Sequence, residues 1–191
     1  MNIEDRLDRI PDIIKQENFR TNTGLGNEVG YYIFDYDEKD ELIVRSYIDK
    51  LVENSCKSIS EYNIIKFDLY EIMINYLIER SLLEECFNME QEDGFAYMSE
   101  AITELFRMHD ESNYFTEYID NNTPENSIIF LTGVGKVYPI FRSHSILNKL
   151  HQFINKVPVV LLFPGEWDGQ KLKLFSKIDD GNYYRAFKLI S

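Results

Sequence analysis

The chain has 191 residues, of which 44% are hydrophobic and 28% charged, and its formal net charge is −13. That length can bury roughly 70% of the unfolded surface without staples, and 13 Tyr with 13 Phe point to a packed core rather than disorder. The charge argues against autonomous DNA or RNA binding, because such affinity comes from Lys and Arg neutralising phosphates. Basic partners suit it, and so does a purely solubilising role.

In chain order, residues 2–20 read as an amphipathic helix, with Ile3, Leu7, Ile10 and Ile14 at helical spacing and Pro11 marking a kink or restart. The loop TNTGLGNEVG follows, and then YYIFDY, a short apolar run typical of a buried strand. Asp37 caps a helix over 38–55 whose stripe is Leu42, Ile48, Leu51 and Val52. A second strand is expected at 64–69. A long helical tract runs over 70–89 and breaks near Asp93-Gly94. Another helix runs to Met108, with Met98, Ile102, Leu105 and Phe106 on one face, and a short one covers 113–119.

SIIFL (127–131) is a third strand that leads into the turn TGVGK. Pro139 is expected at the first turn of a helix reaching about Asn155. VPVVLLF (157–163) is a fourth strand, PGEWDGQ a turn, and 172–175 with 183–189 a terminal antiparallel pair. Buried strands alternating with helices imply an α/β fold: a mostly parallel sheet covered by helices on both faces, with an α-helical insertion around 70–122 and a C-terminal antiparallel strand pair. A single domain over 1–191 is expected, with 70–122 as a candidate helical subdomain.

The cysteines, Cys56 and Cys86, lie in helical stretches, where Cys is usually a small buried hydrophobe; no disulfide framework or CxxC is present. MNIEDRLDRI lacks the apolar core of a signal peptide, and no apolar run approaches the roughly 18 residues of a membrane span. A cytoplasmic protein without membrane partners is expected.

Two Gly-rich corners could hold an anion. Gly24, Gly26 and Gly30 precede a strand, the reverse of a dinucleotide fingerprint, so a tight connection is the preferred reading there. The turn Gly133-Val134-Gly135-Lys136 does follow a strand and precede a helix, where free amides and the helix dipole favour anions. The Walker pattern is nevertheless broken at both ends, by Phe130 and Val137. The reading left open is a nucleotide- or anion-responsive module on a degenerate nucleoside-triphosphatase-like fold.

Arg142 could join that turn or pair with a carboxylate. His144 and His151 are seven residues apart, roughly 10.5 Å along a helix at 1.5 Å per residue, too far for one metal. Asp35 and Asp68, near strand ends, could act as bases or metal ligands, but capping the next helix is preferred for each. Trp167, beside Asp168 in a turn, is either folded over the core or exposed as an anchor. No complete catalytic motif, metal set or cofactor fingerprint emerges. Topology places Gly133, Gly135, Lys136, Arg142, His144, Trp167 and Asp168 on one rim at the carboxyl ends of the strands, an expected anion- or partner-binding edge with Trp167 as anchor and Arg142 as its charged neighbour, and the 24–30 loop opposite.

In fixed order, GLGNEVGYYIFDYDEKDEL, FDLYEI, LTGVGKVYPIFRSHSILNKL and VPVVLLFPGEWDGQKLKLF…DDGNYYRAFKL resemble the BrxB family over nearly the whole chain, least over 84–125. BrxB proteins are small components of BREX anti-phage defence systems. Those systems methylate host DNA, block phage replication and contain a methyltransferase, a large ATPase and the phosphatase-like PglZ. The resemblance implies an assembly role beside other BREX components, PglZ first among them. It carries over no catalytic residue.

Overall fold

The computed structural model describes residues 1–20, 30–57, 62–155, 157–179, 181–184 and 186–190. The amino-terminal helix is broken into α1 (Ile3–Leu7), α2 (Ile10–Ile14) and α3 (Glu17–Arg20), and Pro11 sits in the first turn of α2, where its missing N–H costs nothing. β1 (Tyr31–Tyr36) leads through a 3-10 turn, Glu38–Asp40, into α4 (Glu41–Lys57). Asp37 caps this turn by accepting from the Lys39 amide at 3.1 Å. The buried face of α4 is carried by Val44 and Ile48, one turn apart, whereas Leu42, assigned to the stripe from the sequence, is 72% exposed.

β2 (Asn63–Asp68) is followed by α5 (Leu69–Glu79), α6 (Leu83–Asp93), α7 (Phe95–Leu105) and α8 (Tyr114–Asn121) before β3 (Ser127–Thr132). The tract expected as one helix over 70–89 is interrupted at Ser81, which takes φ 58. The break at Gly94 is where the sequence places it. Then come α9 (Val134–Val137), α10 (Ser143–Phe153), β4 (Val159–Trp167), β5 (Leu172–Leu174), β6 (Ile178–Asp179) and β7 (Phe187–Lys188). Pro139 does not open α10. A residue before proline favours extended backbone; Tyr138 is extended, at φ −71 and ψ 138, and ends α9, and α10 starts only after Arg142.

The sheet order is β2-β3-β4-β1-β7, and each of these neighbouring pairs is parallel. β4 runs beyond Phe163 to Trp167, into the segment expected to be a turn, and its end pairs antiparallel with β5, which pairs antiparallel with β6. The C-terminal antiparallel pairing is thus present, but its members differ from those read in the sequence. The 183–189 segment contributes β7, which joins the other edge in parallel with β1.

Successive strand residues point to opposite faces, and both faces are buried. Ile129, Leu131, Leu161 and Phe163 pack under α5 to α8 and α10, while Phe34, Phe130, Val160 and Leu162 pack under α1, α2 and α4. This double coverage is why these strands read as continuous apolar runs.

Candidate functional site

The chain leaves β1 toward the α4 face and leaves β3 toward the other face, while β4 lies between them in the sheet. A crevice opens where such exits diverge at the carboxyl ends of parallel strands. Here it is a cleft of about 180 Å³ lined by Tyr36, Glu38, Glu41 and Arg45 on one side and by Gly133 to Lys136 with Pro164 and Phe175 on the other. Gly133 has φ +82, and a Cβ there would collide with the Asp68 carboxylate; a Cβ on Gly135 would lie 3.2 Å from Pro164 Cγ. The two corners expected to meet at one edge therefore do meet. Gly30 lies at the other edge, where its carbonyl accepts from the Val159 amide at 2.9 Å. Gly24 and Gly26 lie outside the described residues.

The cations lining this cleft are already matched. Lys136 donates to Asp68 Oδ2, and its ammonium sits 5.5 Å from the Tyr70 ring centroid. The other oxygen of Asp68 accepts from the amides of Tyr70 and Glu71 at 3.0 and 3.3 Å. Asp68 is thus the helix cap expected of it. Arg45 donates to Glu41 at 2.9 Å, and the Tyr36 hydroxyl donates to the same carboxylate at 2.6 Å. Burial, reinforced by the Glu41 charge, holds the Tyr36 phenol well above its ordinary pKa, so it stays a donor.

Asp35 does not cap a helix, because it still lies within β1 and Asp37 takes that position. It instead accepts from Arg6 at 2.9 Å, Lys188 at 3.0 Å and the Trp167 amide at 3.3 Å. One carboxylate thereby ties α1, β7 and the end of β4 to β1.

The other predicted rim residues are dispersed in role. Arg142 is exposed, and its guanidinium makes no hydrogen bond or ion pair among the described residues; it edges a small depression with Ser143, Leu172, Leu174 and Asp179. His144 is half-buried in the first turn of α10, and His151 stacks on Tyr31 at 3.6 Å. Trp167 is 4% exposed and packs edge-on against Tyr184, so its ring is folded into the core rather than presented. Asp168 accepts from the amides of Gln170 and Lys171 at 2.8 and 2.7 Å, and these bonds hold its carboxyl below the usual range. Cys86 is a buried free thiol, with its pKa raised by burial; the Cys56 side chain lies outside the described residues.

Among the described residues no group of three or more His, Cys, Asp or Glu is placed to hold a metal, and no helix is long and apolar enough to cross a membrane. The sequence reading missed the Asp35 and Asp68 partners and the cleft wall on α4. Only the i, i+4 spacing of Glu41 and Arg45 offered a local signal.

Residues 65–189 match the family model described as BREX protein BrxB. The BREX protein BrxB of Bacillus cereus (strain H3081.97) is 47% identical over 98% of this chain and 97% of its own. That of Escherichia coli O9:H4 (strain HS) is 28% identical over 98% of this chain and 92% of its own. No solved structure matches.

Proposed function

The chain belongs to the BrxB family and is a component of a BREX system, and on that premise we propose that it is a non-catalytic assembly protein that binds other BREX proteins in bacteriophage defence. The observation that carries this reading is the engagement of the chemical groups at the carboxyl edge. Asp35 is held by two cations and an amide, and Asp68 by Lys136 and two amides. A general base or metal ligand needs a free lone pair facing its target. These carboxylates direct theirs at the protein's own scaffold. The test is co-expression of the tagged chain with the other proteins of its operon. Recovery of at least one of them in mild salt is expected, with PglZ the first candidate; a tagged chain recovered alone would remove the reading.

A second reading has one observation in its favour: the cleft of about 180 Å³ stands where α/β sheets bind ligands, with Gly133 to Lys136 in its wall, while Arg142 is exposed on a separate depression whose Phe163 and Leu174 directly precede the cleft residues Pro164 and Phe175. A nucleotide or other anion seated there would stabilise the native state by RT ln(1 + [L]/Kd). A flat melting temperature across a nucleotide panel at millimolar concentration would sink it.

A further inference from the structure

From residue 69 to residue 105 the chain carries nine carboxylates against the single cation Arg80, so a net −8 of its −13 lies in α5, α6, α7 and their links. Arg80 is itself stacked over the Tyr76 ring at 3.7 Å. Among the described residues, Glu84, Glu85, Glu90, Glu92, Asp93 and Glu100 make no ion pair.

The same helices expose large apolar side chains. Phe87 is 53% exposed, Tyr97 55%, Phe95 42% and Ile78 54%. Tyr70, Ile74 and Ile78 also recur at four-residue spacing, which lines them along one side of α5. Three of them, Phe87, Phe95 and Tyr97, fall within eleven residues of chain, and large apolar groups exposed together mark interaction sites.

Charge selects among the occupants. A nucleic acid, an anionic membrane and a second copy of this chain would all bring negative charge to this face. A protein surface rich in Lys and Arg, with apolar side chains between them, matches both features. We propose that the exposed surface of the α6–α7 helix pair docks such a basic surface of a partner protein, with Phe87 and Tyr97 as its apolar anchors. Aromatic side chains are enriched in the cores of protein interfaces, and the surrounding carboxylates steer association and set its salt dependence. This rests on the assembly reading and adds the surface and the kind of partner to it.

The experiment uses the full chain, co-expressed with the other proteins of its BREX operon and recovered by a tag, each co-purifying protein being identified. Two variants are compared with the parent, F87S/Y97S and E84K/E85K, and the melting temperature of each is measured. The parent should recover a BREX protein. Recovery should fall about tenfold or more for both variants and on raising salt from about 50 mM to about 500 mM, with melting temperatures nearly unchanged for F87S/Y97S and only a few degrees lower for E84K/E85K, whose carboxylates stand in the first turn of α6. Undiminished recovery by the charge-reversed variant overturns this surface while the assembly reading stands. A parent chain recovered alone overturns both. Self-association of the parent at low salt that F87S/Y97S abolishes would also overturn the proposal, because the occupant would then be a second copy.

Discussion

At the carboxyl edge of the sheet, Lys136 and Arg45 in the cleft wall face carboxylates of the same chain; on α6 and α7, six carboxylates face no cation among the described residues. The edge also keeps Trp167 inside, while the helices leave Phe87 and Tyr97 outside. Charge paired within a fold holds elements in register and leaves little field beyond it. Unpaired charge of one sign adds almost nothing to the fold but projects a field that a partner can answer. The edge had the motif-like sequence, yet the unpaired charge lies on the helical excursion between β2 and β3.

The contrast can be broken most sharply at Trp167. Its replacement by Ala should lower stability by about 3–5 kcal/mol, because a buried aromatic leaves a cavity. Chemical denaturation would read this, and a loss below about 1 kcal/mol would show that the ring does not serve the core.

Asp68→Ala comes next, at about 2–3 kcal/mol, since it removes a helix cap and leaves Lys136 without its carboxylate. Asp68→Asn keeps the capping oxygen and should cost about half as much. Equal losses in the two variants would mean that the ion pair, not the cap, dominates.

On the excursion, E84K/E85K should lower stability by about 1 kcal/mol, because both carboxylates stand in the first turn of α6, which has no side-chain cap; Arg142→Glu at the edge, exposed and unpaired, should change it by no more than about 0.5 kcal/mol. A large melting shift in the charge-reversed helix would show that those carboxylates serve the fold after all.

The smallest effect concerns an exception within the excursion. Glu117 on α8 accepts from Arg107 at 2.5 Å and from Ser112 at 2.8 Å, and these bonds hold its carboxyl below the ordinary value of 4.5. A depressed folded-state pKa means that stability is fully present above the unfolded value and is lost as pH falls through the folded one. The pair is exposed, so the loss is small. Denaturation curves between pH 6 and about pH 3 should fall slightly less for Glu117→Gln than for the parent; identical slopes would remove the contribution.

Much of the architecture was legible because it is written in short periods. Runs such as YYIFDY and SIIFL, short and rich in aromatic and β-branched residues, suit strands buried on both faces, and Gly94 could be read as a break because it lies between two apolar repeats. Asp37 and Asp68 stand at the junction where a cap is needed, and both serve as one. The meeting of the Gly133 and Pro164 corners followed from parallel strands alone. What tertiary structure decided was every long-range partner. Lys136 finds Asp68 across 68 residues, and Lys188 finds Asp35 across 153. Such pairs depend on the strand order, which puts β3 beside β2 and β7 beside β1, and no local pattern encodes that order. Trp167 is settled in the same way: its segment continues β4 only because β5 returns to pair with it, and that pairing turns a turn-like sequence into a strand with its ring inside. Side-chain period is a property of each element by itself, whereas burial and charge pairing belong to elements brought together.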